Sequence, residues 1–298
     1  MATTGGLAAF DTPNVRRVLV LGAVVGLALG IETVILHLTT DPLADVHAYY
    51  DAGARLNAGQ PLYEQPSTTN EAEFYRYPPL LAILFRPLAR LPFEQAAAIW
   101  MGVLAVCFAA TIVRLGARRR ETWLVMGMLA LPTGWSLAIG QAQVAVTFLT
   151  ALGAPWAIAL AANLKVVPAL LAIWWIGRRD VRSLAWFAGS VAVLVAVQFV
   201  LEPQATFDFV RQFGLGQVGD VENRSIYALS PVLWAIALVA GVIVAWRLAP
   251  TRWGWPAAVA LSVFATPRLL IYMLSTLVAV IREPDQPKRD SADEDDRA

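Results

Sequence analysis

The chain has 298 residues, of which 58% are hydrophobic and only 15% are charged, and its formal net charge is +1. A soluble domain carries about a quarter charged residues, so the composition excludes an ordinary soluble domain and indicates an integral membrane protein with spanning helices. The near-zero net charge gives no reason to expect a nucleic-acid partner, and the single cysteine, Cys107, excludes an internal disulfide.

The first two apolar runs define a loop on the far side of the membrane. Residues 18–38 follow two arginines and contain no small-residue cleavage site, so we interpret them as a retained spanning helix rather than a signal peptide. The next run, Phe93–Leu115, precedes an arginine cluster at 118–120. Because clustered arginines stay in the cytoplasm, the N-terminus is predicted inside, and residues 39–92 are predicted to form an extracytoplasmic loop with interfacial helices.

The middle of the chain is divided into helices that are too short to span. Between the arginines at 118–120 and those at 178–182, the chain is too long for two spans and too short for four, at ~20 residues each. Gln141, Gly153 and Lys165 interrupt the apolar pattern, so we expect half-length helices that turn at these residues. Broken helices are tolerated in a membrane where they line a cavity.

The C-terminal part of the chain predicts two further spans and a hairpin. These are a span at 183–201, a second external loop at 202–224, a span at 226–246, and a broken hairpin at 255–264 and 272–281. Residues 283–298 contain prolines and charges of both signs, which is typical of a disordered tail. The sequence therefore predicts an all-α, polytopic transmembrane domain over residues 1–282, located in the cell membrane, with both termini in the cytoplasm.

The first external loop contains a short helix with an unexplained carboxylate. Asp41 is predicted as its N-cap, with Pro42 in the first turn, and Gly59 as the left-handed residue that ends it. Asp45 and Tyr49 share the more apolar face at helical spacing. Asp45 is therefore a candidate catalytic residue, with an incidental interfacial carboxylate as the alternative.

Two further features of this loop have structural explanations. Asp51 and Arg55 lie four residues apart on another face of the helix, where we expect a solvated ion pair. Pro78 and Pro79 begin a short apolar helix that we expect at the membrane interface, either as a surface anchor or as an entrance for a lipid substrate.

Five segments, in order along the chain, resemble glycosyltransferase family 87. They are ADVHAYYDAGARLNAGQPLYEQ from Ala44, YRYPPLLAILFRPLARLP from Tyr75, IGQAQVAVTFL from Ile139, NLKVVPALLAIWWIGRR from Asn163 and ENRSIYALSP from Glu222. Each is weak alone, whereas the ordered set is specific. The resemblance implies a C-type glycosyltransferase fold with an extracytoplasmic active site. It also implies inverting transfer of a sugar, typically mannose, from a polyprenyl-phosphate donor to a lipid-linked or envelope-glycan acceptor, with Asp45 as general base.

Two cations stand at predicted breaks and are candidates for binding the donor phosphate. Lys165 lies at the tip of a broken helix, where snorkelling to the interface is the alternative. Arg268 follows Pro267 at another break. Both are predicted on the same side of the membrane as Asp45, so we expect the two side chains to meet.

Amide and aromatic side chains complete the predicted substrate site. Gln141 and Asn223 are candidate hydrogen-bond partners of the sugar. The alternatives are that Gln141 satisfies backbone carbonyls at its break and that Asn223 belongs to a chance glycosylation sequon. Tyrosines are expected to wall the cavity, namely Tyr49, Tyr50, Tyr63 and Tyr77.

No cofactor is expected, because the sequence contains neither a metal-ligand cluster nor a glycine-rich phosphate loop. A divalent ion at Asp45 and His47 is the alternative. The expected partners are a polyprenyl-phosphate sugar, a lipid or glycan acceptor and membrane lipids. Two other classes of function stay open, a transporter or flippase of a lipid-linked glycan and an inactive scaffold of an envelope-assembly complex.

Overall fold

The computed structural model describes residues 13–64, 74–212 and 223–284, and these residues form helices and connecting turns. The predicted tail beyond residue 284 and the centre of the second loop, 213–222, lie outside the described residues. The α-helices are α1 Pro13–Thr40, α2 Ala44–Asn57, α3 Pro79–Phe85, α4 Phe93–Leu115, α5 Arg120–Met128, α6 Ala130–Ala138, α7 Gln143–Leu152, α8 Pro155–Leu164, α9 Ala172–Arg178, α10 Val181–Leu201, α11 Pro203–Gln212, α12 Pro231–Leu248 and α13 Gly254–Phe264. Short 3₁₀ helices cover Leu88–Arg90, Val167–Leu171 and Ile226–Ala228, and a longer one covers Ile271–Ile281.

Four helices, α1, α4, α10 and α12, are long and apolar enough to cross a membrane. They correspond to the four full-length spans that the sequence predicts, except that the last span begins at Pro231 and not at residue 226, because residues 226–228 form a separate 3₁₀ helix. Only 6% of the apolar window is buried inside the protein in α10 and in α12. Apolar surface left exposed to this extent is typical of helices that face lipid. The protein is therefore an all-α, multi-pass membrane protein.

The shorter helices pack against these long helices and supply much of the buried core. The predicted breaks at Gln141, Gly153 and Lys165 are confirmed, because α6 ends just before Gln141, Gly153 separates α7 from α8, and α8 ends at Lys165. Helix α7 packs against α4 and against the 3₁₀ helix Ile271–Ile281, whereas α8 packs against α10. Half-length helices therefore bring their ends, with the polar residues at the breaks, into the centre of the bundle.

The start of α2 differs from the prediction. Asp41 does not cap this helix, because its carboxylate contacts His37 Nδ1 and Thr40 Oγ1, each at 2.7 Å, at the end of α1. The residue before α2 is instead Leu43, with a left-handed backbone at φ 58°. The sharp turn from α1 into α2 thus uses Asp41 to complete the first helix. Gly59, at φ 65°, is left-handed as predicted.

Asp51 and Arg55 do not form the expected ion pair. Arg55 donates to the backbone oxygens of Pro61 and Glu64, and so fastens the segment that follows α2 to the helix. Asp51 is exposed and accepts no hydrogen bond within the described part of the chain. Asp51 is therefore a solvent-exposed carboxylate on the same helix as Asp45.

Helix α3 begins at Pro79, as predicted, but its apolar face is not at the surface. Leu81, Ala82 and Phe85 are fully buried, and the helix packs against α2. At its start, the backbone N–H of Leu80 donates to Gln198 Oε1 at 3.0 Å, which ties α3 to α10. Helices α2 and α3 are thus a packed part of the bundle rather than a surface anchor.

Candidate active site

The carboxylate of Asp45 lies at the centre of a buried hydrogen-bond network. Its Oδ1 accepts from Gln141 Nε2 at 3.0 Å and from the Tyr77 hydroxyl at 3.0 Å, and the Tyr49 hydroxyl lies 3.2 Å away. Asp45 and Tyr49 share one face of α2, as predicted, while Gln141 lies at the break before α7. One oxygen of Asp45 is therefore fixed by groups from three separate segments.

The second carboxylate oxygen of Asp45 has different surroundings. Within the described part of the chain, Oδ2 makes no hydrogen bond and no ion pair. Burial raises the pKa of Asp45 from its ordinary value to about 6, and this effect outweighs the opposing effects of the Lys165 charge and of the three hydrogen bonds. Asp45 is thus a rigidly held carboxylate with one oxygen available and with enhanced basicity.

The side chain of Gln141 acts as a bridge within the network. Its Nε2 donates to both Asp45 and Tyr77, and its Oε1 accepts from the Tyr49 hydroxyl at 2.7 Å. The backbone break needs no help from this amide, because Gln141 N–H donates to Ser136 and the Gly140 oxygen accepts from the Trp100 indole. Since its donors and its oxygen are both used internally, Gln141 holds Asp45 and the tyrosines in place.

Lys165 is a buried cation without a hydrogen-bond partner. Its side chain is 7% exposed, and Nζ has no acceptor among the described residues. The ammonium lies over two aromatic rings, 5.2 Å from the centroid of Tyr77 and 4.7 Å from that of Tyr272. Snorkelling is therefore wrong for Lys165. Burial of an ammonium without an acceptor is costly, so this position is suited to an anionic ligand.

Two arginines act electrostatically on the same tyrosine. Arg268 and Arg76 are both close enough to Tyr272 to interact electrostatically with its phenol. Lys165 and Arg268 thus both act on Tyr272 from segments about a hundred residues apart. Their meeting at one phosphate stays a prediction. Arg76 and Tyr272 were missed as site residues by sequence reasoning. Arg76 does flank Tyr77 directly, and this adjacency is the signal that could have identified it.

Asn223 holds the backbone that carries Arg268. Its Nδ2 donates to the Pro267 oxygen at 2.8 Å, and its Oδ1 accepts from Leu269 N–H at 2.9 Å. The same oxygen also accepts from Ser225 N–H. Asn223 therefore bridges the residues on both sides of Arg268, and its side chain serves the protein rather than pointing a free amide at a sugar.

Two of the predicted tyrosines, Tyr63 and Tyr50, donate their hydroxyls to backbone oxygens and not to Asp45. The Tyr63 hydroxyl donates to the Tyr77 backbone oxygen at 2.9 Å, so it helps to position Tyr77. The Tyr50 hydroxyl donates to the Leu91 oxygen, and its ring packs edge-on against Phe93. His47 stacks on Phe93 as well, with ring centroids 3.8 Å apart. Tyr50 and His47 thus connect α2 to α4 and do not join the Asp45 network.

The site lies inside one end of the bundle. Trp100, which donates to Gly140 at 2.8 Å, is seven residues from the start of α4, or ~10 Å along the helix. The two described cavities, of about 280 and 690 Å³, are lined by other residues, among them Trp156, which lines both. Among the described residues no group of three or more His, Cys, Asp and Glu side chains could hold a metal ion.

The fold and the site define a polytopic α-helical membrane protein in which a buried carboxylate and a buried lysine adjoin the same tyrosine inside one end of the bundle. Residues 74–282 match glycosyltransferase family 87. The chain belongs to this family. The match covers α3 to the end of the 3₁₀ helix Ile271–Ile281, and so includes Gln141, Lys165 and Arg268.

Two relatives are named as enzymes that depend on lipid-linked mannose. A polyprenol-phosphate-mannose-dependent alpha-(1-2)-phosphatidylinositol pentamannoside mannosyltransferase of Mycolicibacterium smegmatis is 27% identical over 205 residues, covering 61% of this chain and 50% of the relative. A polyprenol-phosphate-mannose-dependent alpha-(1-2)-phosphatidylinositol mannoside mannosyltransferase of Mycobacterium tuberculosis is 28% identical over 232 residues, covering 65% and 54%. The chain thus spans about half the length of these relatives. No solved structure matches it.

Proposed function

We propose that this protein is a membrane mannosyltransferase that moves a mannosyl group from a polyprenyl-phosphate donor to a lipid-borne acceptor, with Asp45 as general base. Membership of glycosyltransferase family 87 and the donor named for the relatives support the reaction class. The observation that supports the role of Asp45 is that its two carboxylate oxygens have different surroundings. Three groups contact Oδ1, whereas Oδ2 has no partner among the described residues.

The chemical step follows from this asymmetry. The acceptor hydroxyl attacks the anomeric carbon of the donor as its proton passes to Asp45 Oδ2. The bond from that carbon to the phosphate oxygen breaks, and polyprenyl phosphate leaves with the electron pair. In the described residues Asp45 is the one carboxylate of the network, which supports a single displacement and hence inversion. General base catalysis of this kind typically contributes about 10²–10⁴-fold.

The cationic side of the site suits the leaving phosphate. Lys165 lies over the ring of Tyr77, whose hydroxyl donates to Asp45, so the ammonium and the carboxylate adjoin the same tyrosine. Arg76 and Arg268 approach from the side of Tyr272. A phosphate here would give Lys165 the acceptor that it lacks and would place its charge where positive groups stabilise it as the bond breaks.

The proposed site is extracytoplasmic. Asp45, Gln141, Lys165 and Arg268 lie at one end of the bundle, whereas arginines cluster at the other end, at 118–120 and 178–182. Clustered arginines mark the cytoplasmic side. A donor whose polyprenyl chain lies in the membrane would present its phosphate at about the depth of the network. The N-terminus and the end of the chain would then be cytoplasmic.

Purified protein with radiolabelled polyprenyl-phosphate mannose and a phosphatidylinositol mannoside acceptor tests the proposal. We expect label in the acceptor lipid. Movement of intact donor across a vesicle membrane without transfer would instead favour a flippase, and binding without either would favour a scaffold. Either result would contradict the proposed function.

A further inference from the structure

A lipid-facing groove lies between α8 and α10, at the end of the bundle opposite Asp45. It encloses about 690 Å³, and its walls include Trp156 and Leu160 of α8 and Arg182, Trp186, Gly189 and Val193 of α10. At its far end, Gln198 of α10 bonds to Asn163 of α8 and to the start of α3. The two packed helices are therefore held together by hydrogen bonds near the polar network, and the groove follows their surface toward the arginine end.

The length of the groove matches one leaflet of a membrane. Its lining on α10 runs from Arg182 to Leu194, which are twelve residues apart, or ~18 Å along the helix. Half of the hydrocarbon core of a bilayer is ~15 Å thick. An extended acyl chain inserted from the arginine end would therefore lie along the whole groove and stop below the hydrogen bond between Asn163 and Gln198.

The mouth of the groove has the chemistry of a lipid headgroup site. Arg182 is exposed and has no ion-pair or hydrogen-bond partner in the described residues. Trp156 and Trp186, which are 54% and 65% exposed, stand beside it. Tryptophan is enriched at the level of lipid headgroups, and basic groups between spanning helices attract anionic headgroups. The remaining lining is apolar or small, apart from the Ser190 hydroxyl.

We propose that this groove is a binding site for an anionic phospholipid, with one acyl chain between α8 and α10 and the phosphate of the headgroup at Arg182. The occupant comes from the leaflet at the arginine end, opposite the leaflet that presents the proposed donor phosphate. The site is independent of the proposed glycosyl transfer, because it shares no residue with the Asp45 network.

Native mass spectrometry of the purified full chain tests this proposal. The protein is offered equal amounts of phosphatidylglycerol and phosphatidylcholine with identical acyl chains. We expect one tightly held phosphatidylglycerol, preferred about fivefold, the preference that one arginine near a membrane surface supplies. Arg182→Gln should abolish the preference. Arg247→Gln is the matched control, because Arg247 is also exposed, at the same end and beside Trp246, but does not line the groove.

Filling the groove gives a second, independent test. A Cβ on Gly189 meets no atom within 4 Å, and Gly189 lines the groove, so the side chain of Gly189→Leu should occupy part of the groove and remove the bound lipid. Gly102→Leu is the control, because Gly102 also lies in open space, on α4 and away from the groove. Undiminished retention in Gly189→Leu, or an unchanged preference in Arg182→Gln, would overturn the proposal. So would displacement of phosphatidylglycerol from wild-type protein by polyprenyl phosphate.

Discussion

Hydrogen bonding and burial have opposite effects on the pKa of Asp45. Hydrogen bonds from Gln141, Tyr77 and Tyr49 would by themselves stabilise the charged form and lower its pKa, yet burial raises that pKa to about 6. Gln141 and Tyr77 donate to Oδ1, and the Tyr49 hydroxyl shares its one proton between Oδ1 and Gln141 Oε1, so these groups set the orientation of the carboxylate without occupying the oxygen that would take the proton. The network therefore gives position and basicity together.

The pH dependence of transfer should follow the ionisation of Asp45. Only the deprotonated carboxylate can act as a base, so activity should rise with pH through a midpoint near 6. We expect this rising limb in kcat/KM measured between pH 4.5 and 7; above about pH 7 kcat/KM should fall, because burial lowers the pKa of the Lys165 ammonium to about 7. Asp51→Asn should retain it, because Asp51 lies outside the network. A midpoint near 4, the ordinary value for aspartate, would contradict the assignment.

Stability should depend on Asp45 in the opposite sense to most carboxylates. Its pKa in the folded protein is above that of an unfolded chain, so the folded state binds the proton more tightly. Ionising the buried carboxylate lowers the free energy of unfolding. This loss is absent below about pH 4, where the group is protonated in both states, and it reaches its full size above about pH 6. The unfolding temperature of Asp45→Asn, relative to wild type, should therefore increase from pH 4.5 to 7.5. A pH-independent difference would contradict burial as the cause.

Lys165→Met should weaken donor binding and leave the fold intact. The change removes a buried ammonium that lacks an acceptor, so the unfolding temperature should not fall. A hydrogen bond to a charged group contributes ~1.5–3 kcal/mol, which corresponds to about 10- to 100-fold in donor affinity. Titration with polyprenyl-phosphate mannose measures the donor affinity. Lys288→Met, which alters the other lysine of the chain, is the control. Equal donor affinity in both variants would exclude Lys165 from the phosphate site.

For single residues, the sequence predicts a role when a charged side chain has no partner nearby in the sequence. It does not predict the role of a residue whose function depends on tertiary contacts. Asp45 and Lys165 could be singled out because each is a charge without an evident local partner. Tyr272 could not, because an isolated tyrosine in an apolar segment is equally typical of a membrane interface. Its place under Lys165 depends on packing between segments more than a hundred residues apart. The roles of Asn223 and Tyr50 depend in the same way on backbone oxygens that no sequence pattern reveals.

At the scale of elements, the approach of α2 to the break before α7 positions Asp45. Gly140 has a left-handed backbone at φ 70°, and a Cβ there would lie 2.2 Å from Val46 Cγ2 of α2. The Asp45 N–H also donates to the Ile139 oxygen at 3.1 Å, across the same contact. The absence of a side chain at residue 140 therefore allows α2 to sit directly on the break that presents Gln141.

Gly140→Ala should separate these two elements. Both the backbone strain and the clash with Val46 oppose the native contact, so we expect a lower unfolding temperature and a loss of transfer of at least tenfold, since misplacement of a catalytic group by about 1 Å can cost about 10²-fold. Gly102→Ala is the control, because Gly102 is helical with open space around it, and it should be neutral or slightly stabilising. Wild-type transfer by Gly140→Ala would contradict this role of the contact.

Long helices and breaks were predictable, whereas helix caps and the position of α3 were not. Twenty or so apolar residues must span a membrane whatever their neighbours do. Gly153, and Pro168 just after Lys165, interrupt helices through local chemistry. Asp41 could cap α2 or complete α1, and only the turn between the two helices decides. Helix α3 is apolar enough for a membrane surface or for a protein interior, and its contact with α2 determines the outcome.

At the scale of the whole molecule, the two ends of the bundle have different compositions. The Asp45 network occupies one end. Arginines and the ion pair between Arg178 and Glu283, at 3.3 Å, occupy the other, where Arg282 also donates to the Arg114 oxygen at 2.7 Å. The proposed orientation predicts the first end outside the cell and the second inside.

Cysteine labelling in intact cells checks this orientation. In a variant with Cys107 replaced, single cysteines at positions 60 and 204 should react with an impermeant reagent. Cysteines at positions 119, 179 and 252 should react only after the cells are opened. These positions are exposed or lie at helix ends, so the substitutions should be tolerated. External labelling at 119 or 179 would invert the proposed topology and place the Asp45 network on the cytoplasmic side.

The comparison of two aspartates on α2 tests the central claim most directly. Asp45→Asn preserves the shape of the side chain and an oxygen for the three hydrogen bonds but removes the base, whereas Asp51→Asn makes the same chemical change on an exposed face of the same helix. Mannosyl transfer by the purified variants is the measurement. Our account predicts that Asp45→Asn loses about 10²–10⁴-fold while still binding donor, and that Asp51→Asn transfers like wild type. Transfer by Asp45→Asn within a few-fold of wild type would contradict the assignment of Asp45 as the base.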